Sequence, residues 1–480
     1  MRHGERLYLE IIDHKTPLIY YLAMVPTQFA FRVLLLGWML VATTAFYCIA
    51  HRLISHRWAV WTATVVFTLL TTLPLMEGNI PNGELFVMGF ILVGGLILTR
   101  TQLWHSLFKK TDETKIKTQY PDWVLLLSAG VFFSLGILTK VPALFDFFGF
   151  ASLAWFSLSR MIFKNPLSIK NLKLSLSHVL PSTAVLLVGV VLPILVSILY
   201  FVLRGSGQAY LDYGLLYNFR YVESWKLPFD NDILLFLFTL PGKVWITGSI
   251  ILVLTFLGKW VRPTFQFVAA WLCLTLFASL LSNRPYPHYL LQMVPALAMM
   301  VGLVLENLLA LFSAARTKKM VLLLELGLSL GIAIFVWQPI QLLEFGKYPT
   351  VSYYQRWVKL ATGQMSLIEY NNSFDRLMSD NYHAAQILSQ SPDPYLFIWG
   401  TNPTLYALSQ KVPTGRFTVA FHIRDFDAYN ESLASVKAKK PEYIIIMKDE
   451  AHSFPEFNEY IDENYMPNAN FTHFTLWKLL

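Results

Sequence analysis

The chain has 480 residues, of which 55% are hydrophobic and 14% charged. A soluble domain carries about 25% charged residues, so this composition excludes a wholly soluble protein and points to a polytopic membrane protein. The formal charge of +8 sits mostly in loops between apolar runs, which excludes the nucleic-acid partner that a basic chain otherwise suggests. Cys48 and Cys273 both lie in apolar runs, so neither a disulfide framework nor a thiolate metal site is expected.

Residues 1–29 are polar at first and end at the membrane. Within them Asp13-His14-Lys15-Thr16-Pro17 stands ahead of a hydrophobic run from Leu18 to Ala50. Opposite charges at a membrane boundary are costly unless something uses them. Lys15 is a point charge suited to phosphate, and Pro17 stiffens the backbone that presents it. Anchoring of a helix end by the lysine is the structural alternative.

Ten candidate spans follow, at 30–50, 58–76, 83–99, 123–139, 141–159, 176–203, 232–257, 264–282, 288–312 and 320–340. Each is near the ~20 residues a helix needs to cross a bilayer. The 232–257 segment holds Pro241-Gly242 and reads as one crossing preceded by a short surface segment. Basic residues orient the bundle: Arg52 and Arg57, then Arg100, Lys109, Lys110, Lys115 and Lys117, then Arg160, Lys164, Lys170 and Lys173, then Lys259 and Arg262, then Arg316, Lys318 and Lys319. All of these loops fall on one side, which is taken as cytoplasmic. The outer side holds the N-terminal segment, the loops 77–82 and 204–231, the turns at 140 and 283–287, and everything after 340. Function is expected on this outer face. An outer N-terminus with no apolar segment ahead of it predicts a further helix upstream.

The outer segments supply the candidate site residues. Glu84 begins the third span, where helix capping is its structural alternative; Glu77 is a neighbour. Lys140 lies between two spans with almost no loop, where snorkelling is the alternative. Asp146 lies six residues further on, in an apolar run, and must face protein or water. The loop Tyr210 to Tyr221 offers Arg220 for a phosphate and Asp212, Tyr217 and Asn218 as polar partners. An interfacial aromatic belt explains its tyrosines but not its arginine. Asn283-Arg284-Pro-Tyr-Pro-His288-Tyr289 is a stiff two-proline turn that holds Arg284 and His288 near the headgroups.

After residue 340 the character changes. Tyr395–Trp399 and Tyr443–Met447 read as buried strands, and 374–390 and 425–438 as helices. The fold expected is therefore an all-α polytopic membrane bundle of about ten helices (1–340), followed by an extracytoplasmic α/β domain (341–480).

The order of these motifs resembles the GT-C glycosyltransferases. More narrowly, the order resembles that of the branch holding glycosyltransferase family 39, the protein O-mannosyltransferases and the aminoarabinose transferase of lipid A. Gly4-Glu-Arg-Leu-Tyr8 with Asp13-His-Lys-Thr-Pro17 is similar to that family's first outer loop. Glu84 stands where it keeps a second acidic residue, and Gly136-Ile-Leu-Thr-Lys140 resembles its "GLxxLTK" element. Tyr217-Asn-Phe-Arg220 and Arg284-Pro-Tyr-Pro-His-Tyr289 fall where it binds the carrier phosphate. Ile398-Trp-Gly-Thr-Asn-Pro403 with Arg416-Phe417 resembles the start of its outer domain.

The resemblance implies an inverting transfer of a sugar from a polyprenyl-phosphate donor to a lipid, glycan or protein hydroxyl. The expected location is a bacterial plasma membrane, with the active site on the outer face. Lys15, Arg220, Arg284 and His288 would hold the donor phosphate. His14, Lys140, Tyr217, Asn218 and Tyr289 would line the pocket. The family's usual base is an acidic residue upstream of the Gly-x-x-x-Tyr element, where this sequence has only three residues. Asp13 or Glu84 is then the catalytic carboxylate, or the acid lies on the upstream helix, or the chain is an inactive relative. A divalent metal is an open possibility, with His14 as one ligand. The competing classes are a transporter or flippase for lipid-linked sugars and a glycan ligase or polymerase. A transporter should carry polar residues at mid-membrane, whereas here the ionisable residues gather at outer helix ends and the inner halves read as bland.

Overall fold

The structure is a computed structural model, and it describes residues 4–108, 121–164, 169–223, 225, 227–312, 315–346 and 348–480. Lys109, Lys110, Lys115 and Lys117, used above for orientation, lie outside the described residues. The chain forms two compact units. A helical unit comprises Lys15–Gly207 and Leu215–Pro349; an α/β unit comprises Met1–His14, Gln208–Gly214 and Thr350–Leu480. The α/β unit thus takes in two short segments from ahead of residue 340.

Each of the ten expected spans contains a helix: Gln28–Leu53, Arg57–Thr72, Gly83–Leu98, Asp122–Thr139, Ala143–Lys164, Ile169–Leu203, Leu240–Leu257, Pro263–Ser279, Val294–Leu311 and Arg316–Leu342. Among the described residues six helices are long and apolar enough to cross a membrane, or seven if the bent pair Gly83–Leu98 and Gln102–Phe108 counts as one. The chain is a multi-pass membrane protein, and a count of about ten is not confirmed among the described residues. Arg57–Thr72 has 16 residues and Pro263–Ser279 has 17. At 1.5 Å per residue these fall short of a hydrocarbon core about 30 Å thick. The bent pair turns by 78° at Thr99–Thr101, where the Thr101 hydroxyl donates to the Leu98 carbonyl at 2.7 Å. The break in 232–257 is as expected. Asn231 caps Asp232–Phe238 through its side-chain oxygen, and Thr239 caps Leu240–Leu257, with Pro241 in the first turn.

The bundle packs in two ways. Phe133, Phe150, Phe267 and Trp271 are fully buried and form one aromatic centre. Elsewhere backbones touch. A Cβ on Gly130 would meet the Gly189 Cα at 2.8 Å and overlap the Leu186 carbonyl, so Asp122–Thr139 and Ile169–Leu203 approach through a small-residue contact.

The expectation of bland inner ends fails. Arg262 reaches Glu306 at 2.9 Å and Glu325 at 2.7 Å, and Glu306 also accepts the backbone N–H of Ser55 at 2.6 Å. Asn307 joins the same network. An Arg with two fork-like acceptors closes this set on itself, which is how membrane-buried charge is made tolerable.

In the α/β unit the strands are β1 (Tyr395–Trp399), β2 (Val412–Pro413), β3 (Tyr443–Met447), β4 (Tyr465–Asn470) and β5 (Phe474–Leu479), in the order β2-β1-β3-β5-β4. β1 and β3 match the expected strands. β1 runs parallel to β2 and β3; β5 runs antiparallel to β3 and β4. Both faces are covered. Phe397 and Ile444 enter one core, and Leu396, Ile398 and Ile445 enter the other, which explains why these strands read as unbroken apolar runs. The helices Arg376–Gln390 and Tyr429–Lys439 lie close to their expected places, with 426–428 forming the turn before the second.

The Trp399-Gly-Thr-Asn402 element is structural here. Gly400 has φ +138°, and a side chain there would collide with Met447. Asn402 exchanges amide hydrogen bonds with Asn381 at 2.7 and 3.2 Å, both side chains being buried. Arg416 forms a fork-like pair with Glu431 at 2.6 and 2.7 Å. Its carbonyl accepts the Ile12 N–H at 2.8 Å, and Ile12 pairs with Phe417 and is buried in the same core. The N-terminal segment is therefore an integral part of this unit.

Candidate functional site

In the helical unit, expected site residues from four separate segments meet. Glu84 opens the helix Gly83–Leu98, because Asn82 and Gly83 end the preceding turn there. Its side chain is 3% exposed and is ion-paired with Lys140. Lys140 ends Asp122–Thr139 in an extended conformation, and its ammonium lies 4.3 Å from the centre of the Tyr289 ring. The Tyr289 hydroxyl is 3.0 Å from that of Tyr221. Arg284 stacks on Tyr221 at 4.3 Å and on Trp225 at 5.2 Å. Burial raises the Tyr221 hydroxyl above the ordinary phenol pKa, while the Tyr289 hydrogen bond, Arg284 and Lys15 pull it back. Lys15 thus acts on the same neighbourhood. Thr16, buried beside it, donates to the Ile137 carbonyl at 3.2 Å and fixes this segment to Asp122–Thr139.

His288 is engaged differently. Its Nδ1 lies 2.6 Å from the Glu77 carboxylate, its ring stacks on Tyr286, and it meets Tyr289 edge-on. Tyr217 is buried, and the Asn218 amide donates to the Leu215 carbonyl at 3.3 Å. Arg220 is exposed, and as the residue before Tyr221 it points about 100° round their helix from it.

Two positioning groups were not singled out by sequence. Lys243 is 6% exposed and donates to the Leu280 carbonyl at 2.7 Å, the Leu281 carbonyl at 3.0 Å and Asn283 Oδ1 at 3.0 Å. Asn283 has φ +56° and donates to the Phe238 carbonyl at 3.0 Å. Together they fix the turn that presents Arg284. Asp146 faces protein, as expected of a carboxylate in an apolar run: the Trp271 indole donates to it at 2.9 Å and the Gln292 amide is its second donor. Beside the Arg284 turn lies an apolar cavity of about 420 Å³, lined by Leu234, Phe238, Ile246, Leu276, Phe335 and Leu342, with Lys243 on its wall.

Asp13 and His14 belong to the α/β unit. His14 Nδ1 lies 3.0 Å from His422 Nε2, and Asp13 Oδ1 lies 3.1 and 3.9 Å from those two atoms. His422 comes from the short helix Ala420–Asp425, and nothing in its local sequence marks it.

The helical cluster has one clear chemical character. Lys140 is paired with Glu84 and Glu77 with His288, while Lys15 and Arg284 lie close to Tyr221. Cations gathered among tyrosine hydroxyls suit an anion with several acceptor oxygens.

No protein-family model matches the sequence, and no curated protein matches it. Solved structures do. ArnT from Cupriavidus metallidurans in the apo state is similar over 98% of this chain and 88% of its own, at 12% identity and TM-score 0.45. The archaeal oligosaccharyltransferase AglB from Archaeoglobus fulgidus, in complex with an inhibitory peptide and a dolichol-phosphate, is similar over 92% of this chain, at 14% identity and TM-score 0.41. The same organism's oligosaccharyltransferase tethered to an acceptor peptide gives 12% identity and TM-score 0.38. This chain spans 63% and 62% of the two archaeal chains.

Proposed function

We propose that this chain is a GT-C-type membrane glycosyltransferase that moves a sugar from a polyprenyl phosphate to a lipid, glycan or protein hydroxyl on the outer membrane face, with inversion at the anomeric carbon. The observation that carries the reading is the cluster of Lys15, Lys140, Arg284 and Glu84 around Tyr221 and Tyr289. The acceptor oxygen attacks the anomeric carbon, and the bond from that carbon to the phosphate oxygen breaks. The leaving phosphate gains negative charge, which Lys15 and Arg284 stabilise. Glu84 takes the acceptor proton, with Lys140 fixing its position. The apolar cavity beside the Arg284 turn has the chemistry to receive the hydrocarbon end of the same carrier. Asp13 stands against two imidazoles and is not assigned the proton transfer. The membrane is proposed to be a bacterial plasma membrane.

The test uses the full-length protein in detergent or vesicles with a short-chain prenyl-phosphate sugar. Release of prenyl phosphate that depends on an added hydroxyl acceptor, and is abolished in Glu84→Gln, supports transfer. Movement of the donor across the bilayer with no prenyl phosphate released supports the flippase instead.

A further inference from the structure

We propose that the helix Thr350–Ala361 lies in the plane of the membrane surface, with one apolar face sunk among the lipid headgroups on the side where the helix Arg316–Leu342 ends. Val351, Tyr354 and Val358 recur at i, i+3 and i+7, and Trp357 stands beside them. All four are exposed, Val351 at 70%. The other two sides of the helix are accounted for. Arg356 stacks on Phe374 at 4.3 Å and donates to the Ser373 carbonyl at 2.6 Å, and Tyr353 meets the same ring edge-on at 5.8 Å. Ser352, Gln355 and Lys359, all exposed, form a polar flank. The contacts of Tyr353 and Arg356 fix the helix about its own axis, so the apolar face stays outward.

Three observations identify lipid as the occupant of that face. The first is its place in the chain. Seven residues, 343–349, join it to Arg316–Leu342, which is long and apolar enough to cross a membrane. Fully extended, seven residues reach about 25 Å, so the helix begins close to the bilayer surface. The second is where the unit exposes apolar side chains. Leu367 and Ile368 follow the helix and are exposed too, whereas beyond Tyr382 the described residues of the unit expose only Met466 and Leu480 among large apolar side chains. Tryptophan and tyrosine are also the residues that settle at a membrane–water interface.

The third is charge. Residues 345–368 hold Lys347, Arg356 and Lys359 and no Asp or Glu, whereas residues 369–480 hold 14 Asp or Glu against 9 Lys or Arg, a balance of −5. The chain is basic where it is apolar and exposed, and acidic beyond. A basic amphipathic helix with tryptophan on its apolar face matches an anionic lipid surface, into which such a face sinks by about 5–10 Å.

The experiment uses full-length protein carrying Cys48→Ala and Cys273→Ala, reconstituted into nanodiscs of phosphatidylethanolamine and phosphatidylglycerol. A nitroxide is attached at one position at a time, through Val351→Cys, Tyr354→Cys, Val358→Cys, Ser352→Cys, Gln355→Cys or Lys359→Cys. Relaxation by oxygen, which concentrates in lipid, is compared with relaxation by a water-soluble nickel chelate. The expected oxygen-to-nickel ratio is severalfold higher at residues 351, 354 and 358 than at 352, 355 and 359. A ratio as low at 351, 354 and 358 as on the polar flank means that the face stands in water, and overturns the proposal. Low collision rates with both reagents at 354 and 358 mean that protein covers the face, a second copy included, and overturn it as well. If the double replacement does not fold, Cys48→Ala alone serves as the background, because Cys273 is buried.

Discussion

In the helical unit Glu84, Asp146, Lys243, Glu306 and Glu325 are buried, and each is met by named donors or acceptors. In the α/β unit the charged pairs lie nearer the surface, as with Arg416–Glu431 and His452–Glu450, and apolar side chains on both faces of the sheet set the geometry. The difference is one of solvent. A charge amid hydrocarbon has no water to fall back on, so a buried network there must balance internally. Arg262 brings two carboxylates together, and their remaining negative charge is met by the Ser55 N–H and the Asn307 amide; Lys15, Lys140 and Arg284 instead gather round Tyr221 and Tyr289. Cations gathered round hydroxyls suit an anion, whereas the Arg262 network is structural cement.

The sharpest break of this contrast is at Glu84. Loss of a general base costs about 10²–10⁴ in rate, so Glu84→Gln should lower turnover by that much. Donor affinity should change less than tenfold. An equal loss of both would make Glu84 a binding group. Next is Lys243→Met, which removes the ammonium donor from the Leu281 carbonyl and Asn283 Oδ1, while the Leu280 carbonyl keeps the Asn283 N–H; a buried acceptor left unpaired costs about 1–3 kcal/mol. Thermal unfolding in detergent should shift down strongly, and an unchanged midpoint would remove Lys243 from the support of the Arg284 turn. Gly130→Val tests the backbone contact in the same unit; overpacking of this kind costs about 1–3 kcal/mol, seen as reduced recovery of folded protein. The smallest effect belongs to the water-facing unit. Ser366 and Glu369 form a reciprocal cap on Leu367–Asn372, and Ser366→Ala should cost about 1 kcal/mol. A larger loss there would show that exposed caps matter more in this unit than its apolar cores suggest.

Much of the fold was legible because periodicity and turn chemistry are local. Tyr395–Trp399 and Tyr443–Met447 were readable from continuous apolar runs, and the break in 232–257 from Pro241-Gly242. The bend at Thr99–Thr101 was not, since it depends on threonine hydroxyls competing for helix carbonyls within an otherwise apolar run. The bland inner ends were misread for a similar reason: Arg262, Glu306 and Glu325 look like loop-edge charges until packing joins them. At the site, Lys15, Glu84, Lys140, Arg284 and Tyr289 were visible as unusual residues at helix ends. Their pairing was not, because Glu84 and Lys140 are 56 residues apart in sequence. Tyr221, Trp225 and Lys243 act by position alone, and His422 is an ordinary histidine until Ile12 takes its place beside Phe417.

The central claim is that Lys15 and Arg284 in the helical unit bind the donor phosphate. Its most direct test is equilibrium binding of a short-chain prenyl phosphate to full-length protein, comparing Lys15→Ala, Arg284→Ala and Arg220→Ala with wild type. Removing a charge-assisted contact costs roughly 1.5–3 kcal/mol, so Lys15→Ala and Arg284→Ala should each lose about ten- to hundredfold in affinity, and Arg220→Ala, from an exposed position, should lose less than either. Wild-type affinity in both Lys15→Ala and Arg284→Ala would contradict the claim and leave these cations as anchors at the membrane surface.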